Sequence, residues 1–327
     1  MTTVAERAET VEGRSLAHLP VGAFALVMGV AGLAVAWLKA GVAWGFGPVA
    51  GRALAVLALA AFALIATGYA VKVVSHNAAV VAEWTHPVRV AFTATIPISL
   101  MVLAIPFLDW LPALSAGLWW AGAALQAVVT LWVVRTWIAD ATVQQVHVHP
   151  AWFIPAVGNL IAPVAGAVHA PAAVTWYFFG VGATYYLGLL PIVLGRLFVA
   201  GTLPPRLAPT LAILVAPPAV ASLAWVRLGG SWDDALVKVL LGVGVFQLLL
   251  LLVQIPSLRS VPFAMSSWAY SFPLAALASA LLASGPGGGL DYAPLAAAVV
   301  GIASVVVVGL LWLTVLAAAR GEICRPE

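Results

Sequence analysis

Apolar residues in this chain run in long unbroken blocks, without the two-residue alternation of a half-buried strand or the one-sided stripe of a surface helix. The blocks lie near residues 19–38, 53–74, 90–108, 113–137, 153–170, 172–195, 208–226, 236–255, 262–283 and 294–318. Each approaches or exceeds the roughly 20 residues that an α-helix needs to cross the hydrocarbon of a bilayer. The pattern predicts an all-α polytopic membrane protein with ten transmembrane helices. Residues 1–17 are polar and lack the charged, apolar and cleavage-site succession of a signal peptide, so they read as a short solvated tail. Residues 18–318 form one transmembrane domain in this reading, and residues 319–327 a second short tail.

Prolines divide the ten segments into two classes. The odd-numbered segments hold Pro97 and Pro106, Pro155 and Pro163, Pro217 and Pro218, and Pro273, with Pro20 at the start of the first. Inside the even-numbered segments only Pro191 appears. A proline in a helix interior removes one backbone hydrogen bond and presses on the carbonyl four residues earlier, at about 3 kcal/mol. Backbone groups freed in this way need protein or water beside them, because lipid offers no partner. The distribution predicts five hairpins. Odd helices, kinked at Pro97, Pro163, Pro217 and Pro273, form an inner ring around a central path, and even helices form an outer ring.

Composition narrows the function. The chain is 64% hydrophobic and 8% charged, too little charge to cover a soluble fold of 327 residues. A net charge of +3 without any Lys/Arg run gives no footprint for nucleic acid. Cys324 is the one cysteine, which excludes a disulfide framework and a cysteine-based metal site. Basic residues instead set orientation. With the amino terminus inside, the cytoplasmic side collects Arg7, Arg14, Lys72, Arg89, Arg135, Arg196, Arg206, Arg259, Arg320 and Arg325, against Lys39, Arg52, Arg227 and Lys238 outside. Both termini are therefore expected in the cytoplasm and the protein in the plasma (inner) membrane. Trp37, Trp44, Trp110, Trp119, Trp120 and Trp232 fall near the outer ends, where an indole can face both lipid and water.

Several strings resemble one family. They are LPVGAFALVMGVAGLAVAW in the first span, HPVRVAF at residues 86–92, VGNLIAP at 157–163, APPAVASLAW at 216–225 and SSWAYSFPLAALASA at 266–280. Together, in this order, they resemble the slow-type anion channel and tellurite-resistance/dicarboxylate transporter family, from about residue 18 to 318. The resemblance implies ten-helix subunits with five proline-bent inner helices around a pore, assembled as homotrimers with one pore each. It also implies a pore-occluding phenylalanine on the ninth span, at the position of Phe272. The long regulatory extensions of the plant members have no counterpart in these short ends, so kinase control of that kind is not expected.

The residues alone leave Phe272 open. It precedes Pro273 at a local break, among the small residues Ala269, Ser271, Ala275 and Ala276. Such a ring can close a narrow path, or pack between helices, or face lipid. No ionisable residue is read in mid-span, so selection would rest on a weak neutral lining, helped by Arg89, Arg196 and Arg259 at the cytoplasmic mouth. Thr93 and Asn159, each four residues before a proline, can line the path or satisfy freed backbone groups. Gly22, Gly29, Gly32, Gly158 and Gly166 are read as permitting close helix contact.

The function expected is a transmembrane channel or transporter passing small inorganic or organic anions. The alternative is a proton-linked exporter of a C4-dicarboxylate, sulfite, tellurite or other toxic compound, which would ordinarily carry a carboxylate or histidine in mid-span. An intramembrane enzyme built on His76, His86 and Glu83 is the third reading, and an enzyme is not expected, since no nucleophile motif or carboxylate pair is present. The His147-x-His149 pair has only Asp140 nearby, so neither a metal nor another cofactor is expected.

Overall fold

The computed structural model describes residues 15–285 and 292–324; Arg7, Arg14 and Arg325, most of the first tail and the last three residues of the second lie outside the described residues. Ten helical spans long and apolar enough to cross a membrane follow one another. They are α1 (Val21–Ala43), α2 (Val49–Ser75), α3 (Arg89–Phe107), α4 (Pro112–Ala139) and α5 (Pro150–His169), then α6 (Ala172–Val199), α7 (Pro205–Arg227), α8 (Ala235–Val253), α9 (Met265–Ser284) and α10 (Ala293–Arg320). Successive spans alternate in direction. One end of the bundle, here the near end, carries the described terminal residues Ser15 and Cys324, joined backbone to backbone, and the short helix Asn77–Trp84. The other is the far end.

Odd and even spans differ in what surrounds them. Between 67% and 83% of the apolar stretch of each odd span is buried, against 17–44% for the even spans. The odd spans contact one another in cyclic order, α1 with α3, α3 with α5, α5 with α7, α7 with α9, and α9 with α1. Each even span packs on the odd span before it and touches the next one round, α10 closing back on α1. Large apolar side chains such as Leu64, Leu131, Leu187 and Trp312 are left exposed on the even spans, a surface suited to hydrocarbon.

The prolines act differently from the expected kinks. Every odd span begins at the near end as a 3₁₀-helix and becomes α further in. Pro97 is third in the α-segment Thr95–Ala104, Pro163 second in Ala162–His169, Pro217 and Pro218 second and third in Ala216–Arg227, and Pro273 third in Ser271–Ser284. In the first turn of an α-helix the N–H groups have no intrahelical acceptor, so a proline there forfeits nothing. Each of these prolines therefore starts an α-helix rather than bending one. The irregular backbone lies upstream, and in α7 it extends over the eleven residues Pro205–Val215, an unusually long 3₁₀ run.

Hydroxyl and amide side chains complete that backbone. Thr93 donates to the Val90 carbonyl, Thr210 to Leu207, Ser222 to Pro218 and Ser271 to Trp268, all three or four residues back. Ser99 reaches across to the Phe24 carbonyl of α1 at 2.9 Å. Trp119 is buried, donating to the Ala162 carbonyl at 2.8 Å, and so ties α4 to α5 instead of sitting at the interface with Trp120 as its position in the sequence suggests.

Glycines set the helix spacing. A Cβ on Gly29 would lie 2.6 Å from the Ser271 Cβ, one on Gly158 would lie 3.1 Å from the Ile98 Cγ1, and one on Gly166 would lie 2.7 Å from the Trp119 Cε2. Gly32 also faces α9, less tightly, with the Phe272 Cδ2 3.1 Å from such a Cβ. Gly22 is the exception, since its nearest neighbour, Phe92, would be 3.7 Å away, an ordinary contact.

Candidate functional site

Two cavities lie within the cycle of odd spans. The near cavity has a volume of about 480 Å³ and is lined by residues from all five odd spans and from none of the even ones. Its walls combine 3₁₀ positions such as Gly22, Phe92, Ile213 and Trp268 with α positions such as Ile98, Ile154 and Val220. The far cavity is about 40 Å³ and is also lined by all five odd spans alone. Ile161, Val220 and Phe272 belong to both linings and separate the two spaces.

Phe272 is the bulkiest of the three. Ser271 starts the α-segment of α9, so the Phe272 side chain leaves the first turn, where the chain changes from 3₁₀ to α. Its neighbour Pro273 also borders the near cavity, and Ala276, four residues on, borders the far one. The ring is half-buried and packs against the edge of the core. Ile161 and Val220 were not singled out from the sequence. A β-branched residue in an apolar run gives no signal that distinguishes a constriction from ordinary packing.

The polar candidates separate. Asn159 is 1% exposed and lines neither cavity; its Nδ2 donates to the carbonyls of Ala156 (2.8 Å) and Pro155 (3.2 Å) and to the Thr130 hydroxyl (3.0 Å). Thr93 is fully buried and also absent from both linings. Of the two roles left open for these residues, their hydrogen bonds are those of backbone-satisfying side chains. The reason is that 3₁₀ segments packed among neighbours leave carbonyls that need a donor.

The basic candidates separate as well. Arg89 is exposed and lines the near cavity, as does Arg206, which was assigned to the same side but not to the mouth. Arg196 is 2% exposed and turned to the Gly201 carbonyl, and Arg259 is exposed without lining the cavity, so neither stands at the mouth. His86 lines the mouth, accepting from the Val88 N–H at 3.1 Å; burial and the adjacent Arg89 charge hold it below the usual histidine range. His76 lies off the cavity beside Ser15.

Glu83 is a buried carboxylate. It sits in the helix Asn77–Trp84, 3% exposed, and borders the near cavity. Its carboxylate pairs with Lys72 Nζ at 2.9 Å and accepts from the Val21 N–H at 2.7 Å and the Tyr69 hydroxyl at 3.1 Å. Lys72 also donates to the Leu19 carbonyl at 2.7 Å. A buried ion pair is tolerated when such bonds occupy the remaining lone pairs and protons. This one anchors the near ends of α1 and α2.

The H-x-H pair does not converge on one point. His147 caps its own turn, accepting from the Gln144 N–H at 3.1 Å. His149 is fully buried, stacked on Phe92 with ring centroids 6.0 Å apart, and neither ring nitrogen has a hydrogen-bond partner. Burial pushes it down to about 4, against a weaker opposing pull from the Val88 backbone.

Ten described helices long and apolar enough to cross a membrane, the odd ones lining two internal cavities, suit a channel or transporter. Residues 18–319 match the family described as SLAC1, voltage-dependent anion channel, and the chain belongs to that family. It is 30% identical over 267 residues to the tellurite resistance protein TehA homolog of Haemophilus influenzae, covering 81% of each chain. It is 29% identical to the S-type anion channel SLAH3 of Arabidopsis thaliana, covering 82% of this chain and 43% of the relative. With SLAH2 of the same plant the identity is 29%, over 92% of this chain and 59% of the relative. The chain thus spans about half the length of these two plant relatives.

Proposed function

We propose that this protein is an anion channel whose pore runs through the cycle of odd spans and is closed by Phe272. One observation carries the reading: the two cavities share the same five walls and are separated at Phe272, Ile161 and Val220. Both relatives named as anion channels and the family description support the anion as cargo. A largely apolar wall holds an ion weakly, which conduction requires, and the basic groups Arg89 and Arg206 at the near mouth raise the local anion concentration. Each subunit carries all five inner spans, so assembly as a homotrimer would give one complete pore per subunit. The near end is assigned to the cytoplasm of a plasma-membrane protein from the basic excess there.

Proton-linked export is less well supported. Glu83 is the carboxylate beside the near cavity, and its lone pairs are committed to Lys72, Tyr69 and Val21. The test is anion flux into proteoliposomes carrying chloride, nitrate, sulfite or malate. Phe272→Ala should raise flux about tenfold or more if a ring barrier of 1.4 kcal/mol or greater is removed. Equal flux from well-folded wild type and variant would refute the gate.

A further inference from the structure

α1 runs on past the predicted end near residue 38 to Ala43, which turns Lys39 from a loop residue into a helical one facing inward. Lys39 is half-buried and lines the far cavity, together with Ser279 of α9. Lys39 is seven residues beyond Gly32, and Ser279 seven beyond Phe272. Gly32 and Phe272 face each other. At 1.5 Å per residue both polar groups therefore lie about 10 Å along the path from the Phe272 ring, on the side away from the large cavity.

A second cation joins Lys39. Arg227, at the end of α7, is held by its Nε on the carbonyl of Val164, itself a wall residue of the far cavity, at 3.1 Å. The positive charges of Lys39 and Arg227 act on each other. Neither makes an ion pair with a described carboxylate, and two of the carboxylates at this end are committed elsewhere, Asp234 to Trp225 and Ser231, and Asp233 to Lys238. Arg227 is itself exposed and stands outside the cavity wall, whereas the Lys39 ammonium lines the confined space without a described counter-ion, and an anion beside it relieves its desolvation and the repulsion from Arg227.

We infer that the far cavity is an anion-binding site, with Lys39 as its principal ligand, Arg227 as supporting charge and the Ser279 hydroxyl as a further donor. Size selects the ligand. A space of about 40 Å³ holds a few water-sized bodies, since one needs roughly 10–15 Å³. A compact monovalent inorganic anion such as chloride, bromide or nitrate fits, and a four-carbon dicarboxylate does not. As part of a conduction path the site rests on the pore reading above; as a binding site it stands on its own geometry. An ion held there would wait next to the ring, so that opening at Phe272 connects an occupied site to the large cavity.

Two measurements on the purified full-length protein test it. Crystals of wild type soaked in bromide should show an anomalous peak beside Lys39 that is absent in Lys39→Met. In proteoliposomes Lys39→Met should raise the half-saturating chloride concentration about tenfold, as expected for losing one charge-assisted contact, while Lys39→Arg retains most of the affinity. Malate should not displace bromide. No peak in the far cavity, or identical saturation curves for wild type and Lys39→Met, would overturn the inference. Bromide bound at Lys39 in a protein that passes no anion would instead remove the channel reading and leave the site standing.

Discussion

The Phe272 ring lies directly over Gly32, so that a Cβ built on that glycine would stand 3.1 Å from the Phe272 Cδ2 atom and 3.2 Å from the Ala275 Cβ. Gly32→Ala must therefore push the ring, the helix, or both, by a few tenths of an ångström. If Phe272 controls passage, Gly32→Ala changes anion flux in the wild type and much less in Phe272→Ala, because the ring is gone and only the Ala275 contact remains. Flux measured for the two single variants and the double variant forms the cycle. Additive effects of the two changes would separate Gly32 from the ring.

Glu83 and Lys72 make a second, independent pair. Replacing Glu83 by Leu leaves the Lys72 ammonium buried with one carbonyl as its remaining partner and should lower stability by about 3–5 kcal/mol. Lys72→Met combined with Glu83→Leu should recover much of that loss. Thermal unfolding in detergent compares the three variants with wild type.

His149 gives a pH dependence with a definite sign. In the unfolded chain it takes a proton near 6.5, and in the folded protein burial delays this to about 4. Below 6.5 the unfolded state therefore binds more protons, and stability falls as pH drops from 6.5 toward 4, by roughly 3 kcal/mol in all. His149→Phe, which keeps the stack on Phe92, should flatten that part of the curve. An unchanged slope in unfolding experiments between pH 4 and 7 would assign the dependence to other groups.

Asn159 distinguishes a structural amide from a pore-lining one. Asn159→Ala removes the side-chain donor from the Ala156 carbonyl, while Pro155 keeps Gln126 and Thr130, and should cost about 1–3 kcal/mol. The ratio of nitrate to chloride flux per folded molecule should not move. A changed ratio would return the residue to the lining.

Much of the architecture was legible because prolines and length speak directly to backbone hydrogen bonding in lipid. The alternation of Pro97, Pro163, Pro217 and Pro273 with nearly proline-free segments pointed to which helices are enclosed, and burial follows the same alternation. What proline does there was misread. From sequence, a proline deep in an apolar run looks like an interior kink; only the structure shows that a 3₁₀ stretch precedes it and that it begins an α-segment. Side-chain destinations were less legible still. Glu83 and Lys72 are eleven residues apart on either side of a turn, and nothing in that spacing announces a buried pair. Lys39 was misplaced through a helix boundary set near residue 38, which moved a cation from the wall of a cavity into a connection. Arg196 and Arg259 carry the same charge as Arg89, but where each side chain points is decided by packing against α7 and the loops, which one chain does not encode locally.

The proline positions also decide what can move. For α3, α5, α7 or α9 to rewind its 3₁₀ half into α, its proline would have to enter a helix interior, at about 3 kcal/mol for each proline displaced. These four helices are thus locked in length and screw angle, and the route they enclose has a stiff frame in which travel is left to side-chain rotation. α1 is the exception, since its α-segment Ala25–Ala43 begins without a proline and its short turn Val21–Phe24 is free to convert. It is also the helix that faces Phe272 through Gly32 and is tethered to Glu83 through the Val21 N–H. Any mechanical signal that reaches the ring through the backbone therefore has one available lever, and a single carboxylate holds its end.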